Sequence, residues 1–268
     1  MMKLINGECL EEMAKMPAES IDLILCDLPY GTTDRTGGTR LFAWDCVIDP
    51  DELWAQYKRI LKLNGNVVLT ADQPFTSQLV MSNIGWFKYD LIWNKCRVNG
   101  FLHANSKPMK QTEDILVFSP LGAAPASRKN GTHMTYNPQG LIPVSVKKKN
   151  SQKRLGKFLN NPDHMGSNNK LLGESEYEQK WTNYPKEIIE FPLDKNSFHP
   201  TQKPVALMEY LIRTYSNEGG VVLDNCMGSG STGVAAVRSN RDFIGIEMDD
   251  NYFNKATDFI KSEPTKLF

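Results

Sequence analysis

A chain of 268 residues, 40% hydrophobic and 23% charged, has the composition of a water-soluble globular fold, with length for one large α/β domain or two modest ones. No apolar run approaches the roughly 20 residues of a membrane span. The opening MMKLINGECLEEM meets acids too early for a secretory signal, so a cytoplasmic protein that avoids membranes is expected. Formal charge is zero but uneven: −3 over residues 1–119, +5 over 120–198 and −2 over 199–268. A basic middle fits either a segment that meets a polyanion or a lysine-rich loop region.

The five cysteines are scattered with no CxxC, and the four histidines form no HxxxH or HExxH pair. A disulfide framework and a zinc site are both disfavoured, and no metal is expected.

In chain order, CLEEMAKM has helical spacing and SIDLILCD reads as a strand ending at Asp27. DPDELWAQYKRILKLNG predicts a helix, with Leu53, Tyr57, Ile60 and Leu61 on one face and an Asn-Gly stop. NVVLTA is a strand, QPFTSQLVMSNIG a helix, and KYDLIWNK and DILVFS are strands. Strands alternating with helices predict a mostly parallel sheet. From Pro120 to Phe198 the pattern breaks into an Asn-, Pro-, Gly-, Ser- and Lys-rich stretch with few strand signals. The stretch is either an inserted small domain or a set of long loops; a structureless run of that length inside a compact domain is unusual unless it has a task. Regular α/β pattern resumes with the helix TQKPVALMEYLIRTYS, then strand, glycine turn, helix, strand and helix.

Two turns carry the chemistry. In VVLDNCMGSGSTGVAAV a strand ends at Asp224, Gly228 and Gly230 form the turn, and small residues open a helix. Glycines there let backbone approach a ligand, and the helix N-terminus favours an anion. Glu247 ends the next strand, placed for the hydroxyls of a ribose. Gly228, Gly230 and Gly233 fit GxGxxG, which would suggest NAD. Asp224 would repel a pyrophosphate but suits a cationic amine, so S-adenosylmethionine is favoured over NAD.

The other turn is DLPYG at 27–31. Together with DNCMGSGST and HPTQKP at 199–204, it resembles the signature motifs of the β class of amino-group DNA methyltransferases. In that class the catalytic motif comes first, the target-recognition region next and the cofactor motif last. The resemblance covers 1–119 and 199–268 as the catalytic domain, split into a catalytic and a cofactor half. It implies an α/β fold, a Rossmann-like S-adenosylmethionine-dependent methyltransferase sheet flanked by helices, and leaves 120–198 as the inserted target-recognition segment. Leu28 stands where the family usually has Pro, and Cys226 where many members have Phe.

The chemistry of the turn follows from the amine. An exocyclic amine on a base is a poor nucleophile because its lone pair is delocalised into the ring. Asp27 and the backbone carbonyl of Leu28, held by Pro29, can accept its two N–H groups, and Tyr30 can stack on a base flipped from the duplex. No covalent intermediate is required.

For S-adenosylmethionine the resemblance implies Glu8, Cys9, Asp27, Gln202, Lys203 and Asp224. It adds Cys226, Gly228, Ser229, Gly230, Thr232 and Glu247 from the glycine turn and the following strand. Glu8 reads equally well as a helix N-terminal acid. Arg35, Arg40, Lys147, Lys148, Lys149 and Arg154 are candidate contacts to the phosphates of double-stranded DNA. The stretch 93–110 could also face substrate. The expected reaction is methylation of adenine N6 in DNA, with cytosine N4, RNA or a silent binding protein as alternatives. Members of the β class often form homodimers.

Overall fold

The structure, a computed structural model, describes residues 1–31, 47–149, 176–195 and 201–264. Among these, two compact units are seen: Met1–Asn137 with Lys186–Phe268, and Pro138–Pro185.

The larger unit is built on an eight-stranded sheet. Its strands are β1 (Met2–Asn6), β2 (Ile21–Asp27), β3 (Leu61–Ala71), β4 (Phe87–Asn99), β5 (Lys110–Phe118), β8 (Ile188–Glu190), β9 (Val221–Asp224) and β10 (Asp242–Glu247). Their spatial order is β1-β10-β9-β2-β3-β5-β4-β8. The run from β1 to β3 is wholly parallel, and β5 is antiparallel to both of its neighbours. The helices are α1 (Cys9–Ala14), α2 (Pro50–Ile60), α3 (Phe75–Ser82), the short α4 (Pro125–Lys129), α5 (Val205–Tyr215), α6 (Ser231–Arg238) and α7 (Asp250–Lys261).

The central strands are apolar on both sides, because helices cover both faces. Leu23 and Leu25 of β2 point into one layer with Leu207, Leu211, Val234 and Ile260, from α5, α6 and α7. Ile24 and Cys26 point into the other with Met13, Tyr57 and Phe75, from α1, α2 and α3. On α2 the buried set is Leu53, Trp54, Tyr57 and Ile60. Each such side chain stabilises the fold by roughly 1.5–3 kcal/mol on burial. Asp49 starts α2 by accepting from the Asp51 and Glu52 N–H groups at 2.8 and 3.3 Å, ahead of Pro50 at the first position.

Leu61 differs from its expected place on that helix. It turns extended (ψ 135°) and opens β3, opposite Ile21. The Asn64-Gly65 pair that reads as a helix stop lies inside β3, where the register with β2 shifts between Ile21 and Leu23. A Cβ at Gly65 would sit 2.9 Å from the Asp22 carbonyl, so the irregularity needs glycine for space. β1 is a strand the periodicity did not show.

By contacts, 120–137 and the residues from Lys186 onward belong to the larger unit, so the compact insert is narrower than the compositional break. The small unit is a two-stranded antiparallel sheet of β6 (Ile142–Lys149) and β7 (Glu176–Thr182). Its register sets Lys147 opposite Glu178.

Candidate active site

Parallel neighbours end on the same edge of a sheet. Asp27, Asp224 and Glu247 are the last residues of β2, β9 and β10, and Thr70 pairs with Asp27 near the end of β3. Open α/β sheets bind ligands at this edge. Here it borders a pocket of about 560 Å³ that includes the DLPY turn, the glycine turn and Gln202-Lys203.

Asp27 is held from three sides. Its Oδ1 accepts from the Tyr30 hydroxyl at 2.7 Å and from the Thr70 hydroxyl. Its Oδ2 accepts from Lys203 Nζ at 2.5 Å. An ionised carboxylate has about four acceptor sites, so one on Oδ2 is left over. Lys203, only 7% exposed, also lies 3.6 Å from Glu113 Oε2, and Glu113 Oε1 is paired with Lys95. Burial works to lower the Lys203 pKa, but Asp27 and Glu113 outweigh it and the ammonium is held above its ordinary range. Tyr30 packs on Phe75 with ring centroids 5.2 Å apart, and Lys203 Nζ lies 5.9 Å from its centroid. Burial and the Asp27 charge push the phenol pKa well up, so the hydroxyl stays a donor. Leu28 buries its side chain in the apolar layer below, which anchors the backbone of the turn.

The other end of the pocket is acidic. Asp224 is 3% exposed, and burial pushes its pKa up to about 6 against hydrogen bonds from Thr232, the Cys226 N–H and Cys26. Glu247 is also raised, chiefly by burial, although Gly228 N and Asp249 N each donate to it at 2.9 Å. Gly230, at φ +79°, is in the left-handed region and precedes α6. Gly233 is required for a different reason: a Cβ there would meet Ile260 Cδ1 at 2.4 Å. Ser229 is buried with its Oγ 3.1 Å from that of Ser231. Glu8 is the N-cap of α1, accepting from Glu11 N at 2.9 Å, and it also lines the pocket. Burial opposes its ionisation, but the backbone N–H groups of the cap prevail and lower its pKa.

Cys9, Cys26 and Cys226 form one thiol cluster beside this turn. Mutual hydrogen bonding and burial push Cys9 and Cys226 far up, and burial pushes Cys26 up to about 12. They are neutral wall atoms, not nucleophiles.

The pocket therefore gathers Asp27, Leu28, Pro29 and Tyr30 of the DLPY turn and, of the residues expected at the glycine turn and the next strand, all but Gly230, with Glu8, Cys9, Gln202 and Lys203; Gly230 shapes the turn without lining the pocket. The Lys203 ammonium is committed to two carboxylates. Lys147, Lys148 and Lys149 lie on β6 in the small unit. Arg35, Arg40, Trp44, Arg154, His199 and Pro200 lie outside the described residues. Sequence reasoning missed Thr70 and Glu113, and reached Lys95 only as part of the stretch 93–110. A polar residue near the end of an apolar strand, VVLTA, was the available signal for Thr70. Glu113 carried none. No group of His, Cys, Asp and Glu suited to a metal occurs among the described residues.

Comparison with known proteins gives a matching frame. Residues 21–258 match the family model described as N6/N4 DNA methylase. The DNA adenine methyltransferase YhdJ of Escherichia coli is 32% identical over 257 residues, which are 93% of this chain and 79% of that protein. The type II methyltransferase M.HinfI of Haemophilus influenzae is 29% identical over 94% of this chain and 66% of its own length. In fold, the PvuII cytosine-N4-specific DNA methyltransferase covers 100% of this chain and 88% of its own, at TM-score 0.63 and 15% identity. The M1.HpyAVI–SAM complex covers 97% and 100%, at TM-score 0.57 and 22% identity. The chain belongs to the N6/N4 family of DNA methylases, enzymes that take their methyl group from S-adenosylmethionine.

The residues present fit that cofactor. Six carboxylates and two ammonium groups line the pocket. The ammonium groups, Lys95 and Lys203, are occupied with Glu113 and Asp27, so the end around Asp224, Glu247 and Glu8 has uncompensated negative charge. Such a surface suits a sulfonium and an ammonium and disfavours the pyrophosphate of NAD. Gln202 Oε1, a buried acceptor in this pocket without a protein partner, also suits a donor ligand.

Proposed function

We propose that the protein methylates the exocyclic N6 of adenine in double-stranded DNA. The observation that carries this reading is the single pocket shared by the Asp27–Tyr30 turn and the Asp224–Thr232 turn. S-adenosylmethionine, when bound, supplies an electrophilic methyl group on a sulfonium. Asp224 and Gln202 face its cationic amine, and Glu247 its ribose hydroxyls. Glu8 lines the same end, in addition to capping α1.

The open acceptor site on Asp27 Oδ2 and the Leu28 carbonyl take the two N–H groups of the target amine. Accepting both pulls the lone pair out of the ring system and directs it at the methyl donor. When bound, S-adenosylmethionine would give its methyl carbon to the amine nitrogen and leave as the neutral thioether, and the surplus amine proton, held at Asp27 Oδ2, would pass to water. Fixed acceptors that need no rearrangement supply most of the acceleration. Lys203 is a positioning residue: it fixes Asp27, and Glu113 with Lys95 balances its charge.

Adenine rests on the likeness to the E. coli adenine methyltransferase and on Asp at the first position of the turn. Lys147, Lys148 and Lys149 of the small unit would meet phosphates, with Arg35, Arg40 and Arg154 in the same role from outside the described residues. Pairing of two copies, as in the β class, is part of this reading, and sedimentation analysis tests it. No helix among the described residues is long and apolar enough to cross a membrane; a cytoplasmic site of action fits a DNA substrate.

The test is incubation with unmethylated genomic DNA and methyl-labelled S-adenosylmethionine, then digestion and mass spectrometry of the nucleosides. Label on N6-methyladenine is the expected result. Label on N4-methylcytosine would reassign the base, and no labelled nucleoside would overturn the reading.

A further inference from the structure

β4 and β5 do not stop at the pocket. On β4, Trp93 is buried, and Trp93, Lys95 and Asn99 line the pocket one after another toward the end of the strand. Immediately beyond Asn99 the chain turns at Gly100, at φ +90°, into a single 3-10 turn over Phe101–His103. Backbone hydrogen bonds order this tip: His103 N to Gly100 O at 2.9 Å, Ala104 N to Phe101 O at 3.0 Å, and Lys107 N to His103 O at 3.0 Å. The residues displayed are the two most exposed large apolar side chains among those described: Leu102 at 95% and Phe101 at 81%.

Single exposed apolar residues are ordinary on a protein surface. This pair is adjacent, rests on an ordered turn, and sits two residues past a pocket-lining side chain. Its charge environment is one-sided. Between Asp90 and Glu113 the chain carries Lys95, Arg97, Lys107 and Lys110 and no acid. Lys95 and Lys110 are paired with Glu113 and Asp72, which leaves Arg97 and Lys107, both exposed, beside the apolar tip. An apolar point on a stretch of chain that carries exposed cations and no acid is complementary to a stacked, polyanionic duplex.

We infer that the β4–β5 tip is a wedge that enters duplex DNA, with Phe101 and Leu102 filling the space vacated when the target base leaves the stack for the pocket. Apolar side chains driven between base steps compensate lost stacking in this way. The inference deepens the DNA-methylation reading and rests on it.

The test compares wild type with Phe101→Ala/Leu102→Ala on oligonucleotide duplexes carrying the sequence the enzyme modifies in genomic DNA. One duplex is fully paired, and one has a mismatch opposite the target base. Both side chains are solvent-exposed, so the fold should hold, and S-adenosylmethionine titration with thermal melting checks this. On the paired duplex kcat/KM should fall by about tenfold or more, with a matching loss of 2-aminopurine fluorescence at the target position. On the mismatched duplex, where the base is already unpaired, the loss should be much smaller. Phe101→Trp should keep most of the activity. Equal losses on the two duplexes, or no loss on either, would overturn the wedge. So would a drop in oligomeric size of the variant that accounts for its defect, because the tip would then be a contact between copies. If wild type methylates neither duplex nor genomic DNA, the functional reading falls and the wedge with it. Activity of wild type with an indifferent variant sinks the wedge alone.

Discussion

The turns after β2 and β9 are close structural counterparts. Both follow buried parallel strands that are direct neighbours in the sheet, and both put an aspartate at the strand end. Their electrostatics are opposite. Asp27 has an ammonium at 2.5 Å and donors on both oxygens. Asp224 is more deeply buried and has only neutral donors, and burial raises its pKa to about 6. The pair teaches that position alone does not set a carboxylate's role. An acid whose charge is already balanced can present oriented acceptors to a neutral amine. An acid left uncompensated is suited to a ligand that brings the missing positive charge.

Breaking the first half of this comparison should have the largest effect. Asp27→Asn replaces a carboxylate acceptor with an amide and leaves Lys203 with Glu113 alone, and single-turnover methyl transfer should fall by about a hundred- to a thousandfold. Cofactor affinity, read by calorimetry, should change little. Asp224→Asn should do the reverse: weaken S-adenosylmethionine binding by roughly ten- to a hundredfold. In the same variant the cofactor-free protein should melt higher at pH 7.5, because an uncompensated buried charge has been removed.

The pH dependence sharpens the contrast. With its folded pKa raised from 3.8 to about 6, Asp224 binds more protons folded than unfolded in that window. Its contribution to stability therefore declines as pH rises from about 4 to 6 and is level above. Cofactor affinity runs the other way and should weaken as pH falls below about 6. Titrations at pH 5, 6 and 7 test this, and Asp224→Asn should flatten the profile. The smallest change is expected for Thr70→Val, which removes one of the two hydroxyls on Asp27 Oδ1. Methyl transfer should slow by about tenfold with the Kd for S-adenosylmethionine unchanged.

The strand-to-turn sites were legible because their signal is local. SIDLILCD and VVLD run apolar up to an acid, and Pro29 and Gly230 mark the turns that follow. The partners of those acids were not legible. Thr70 meets Asp27 only through β2–β3 pairing, and Glu113 reaches Lys203 only because β5 inserts between β3 and β4. Lys203 shows the division well. Its place in HPTQKP marked it for the pocket, but its burial between two carboxylates comes from tertiary packing. The helix stop assigned to Asn64-Gly65 failed for a related reason: pairing with β2 captured Leu61 and overrode the helical period. In the basic segment, the lysine run reads as loop, but β7 places Glu178 opposite Lys147 and lets it lie in a strand.

The neighbouring positions of β2 and β9 have a consequence for how the chain is made. Leu23 pairs with Val222, so the central seam of the sheet joins segments separated by most of the sequence. Closing so long a loop is entropically slow, and a nascent chain emerges with the β9-facing edge of β2 unpaired until the last third is synthesised. Until then that edge is a template for strands of other chains. Expression yield should therefore depend on temperature and on chaperone supply more than the stability of the finished fold would indicate, and slowing synthesis near the end of the message should increase aggregation.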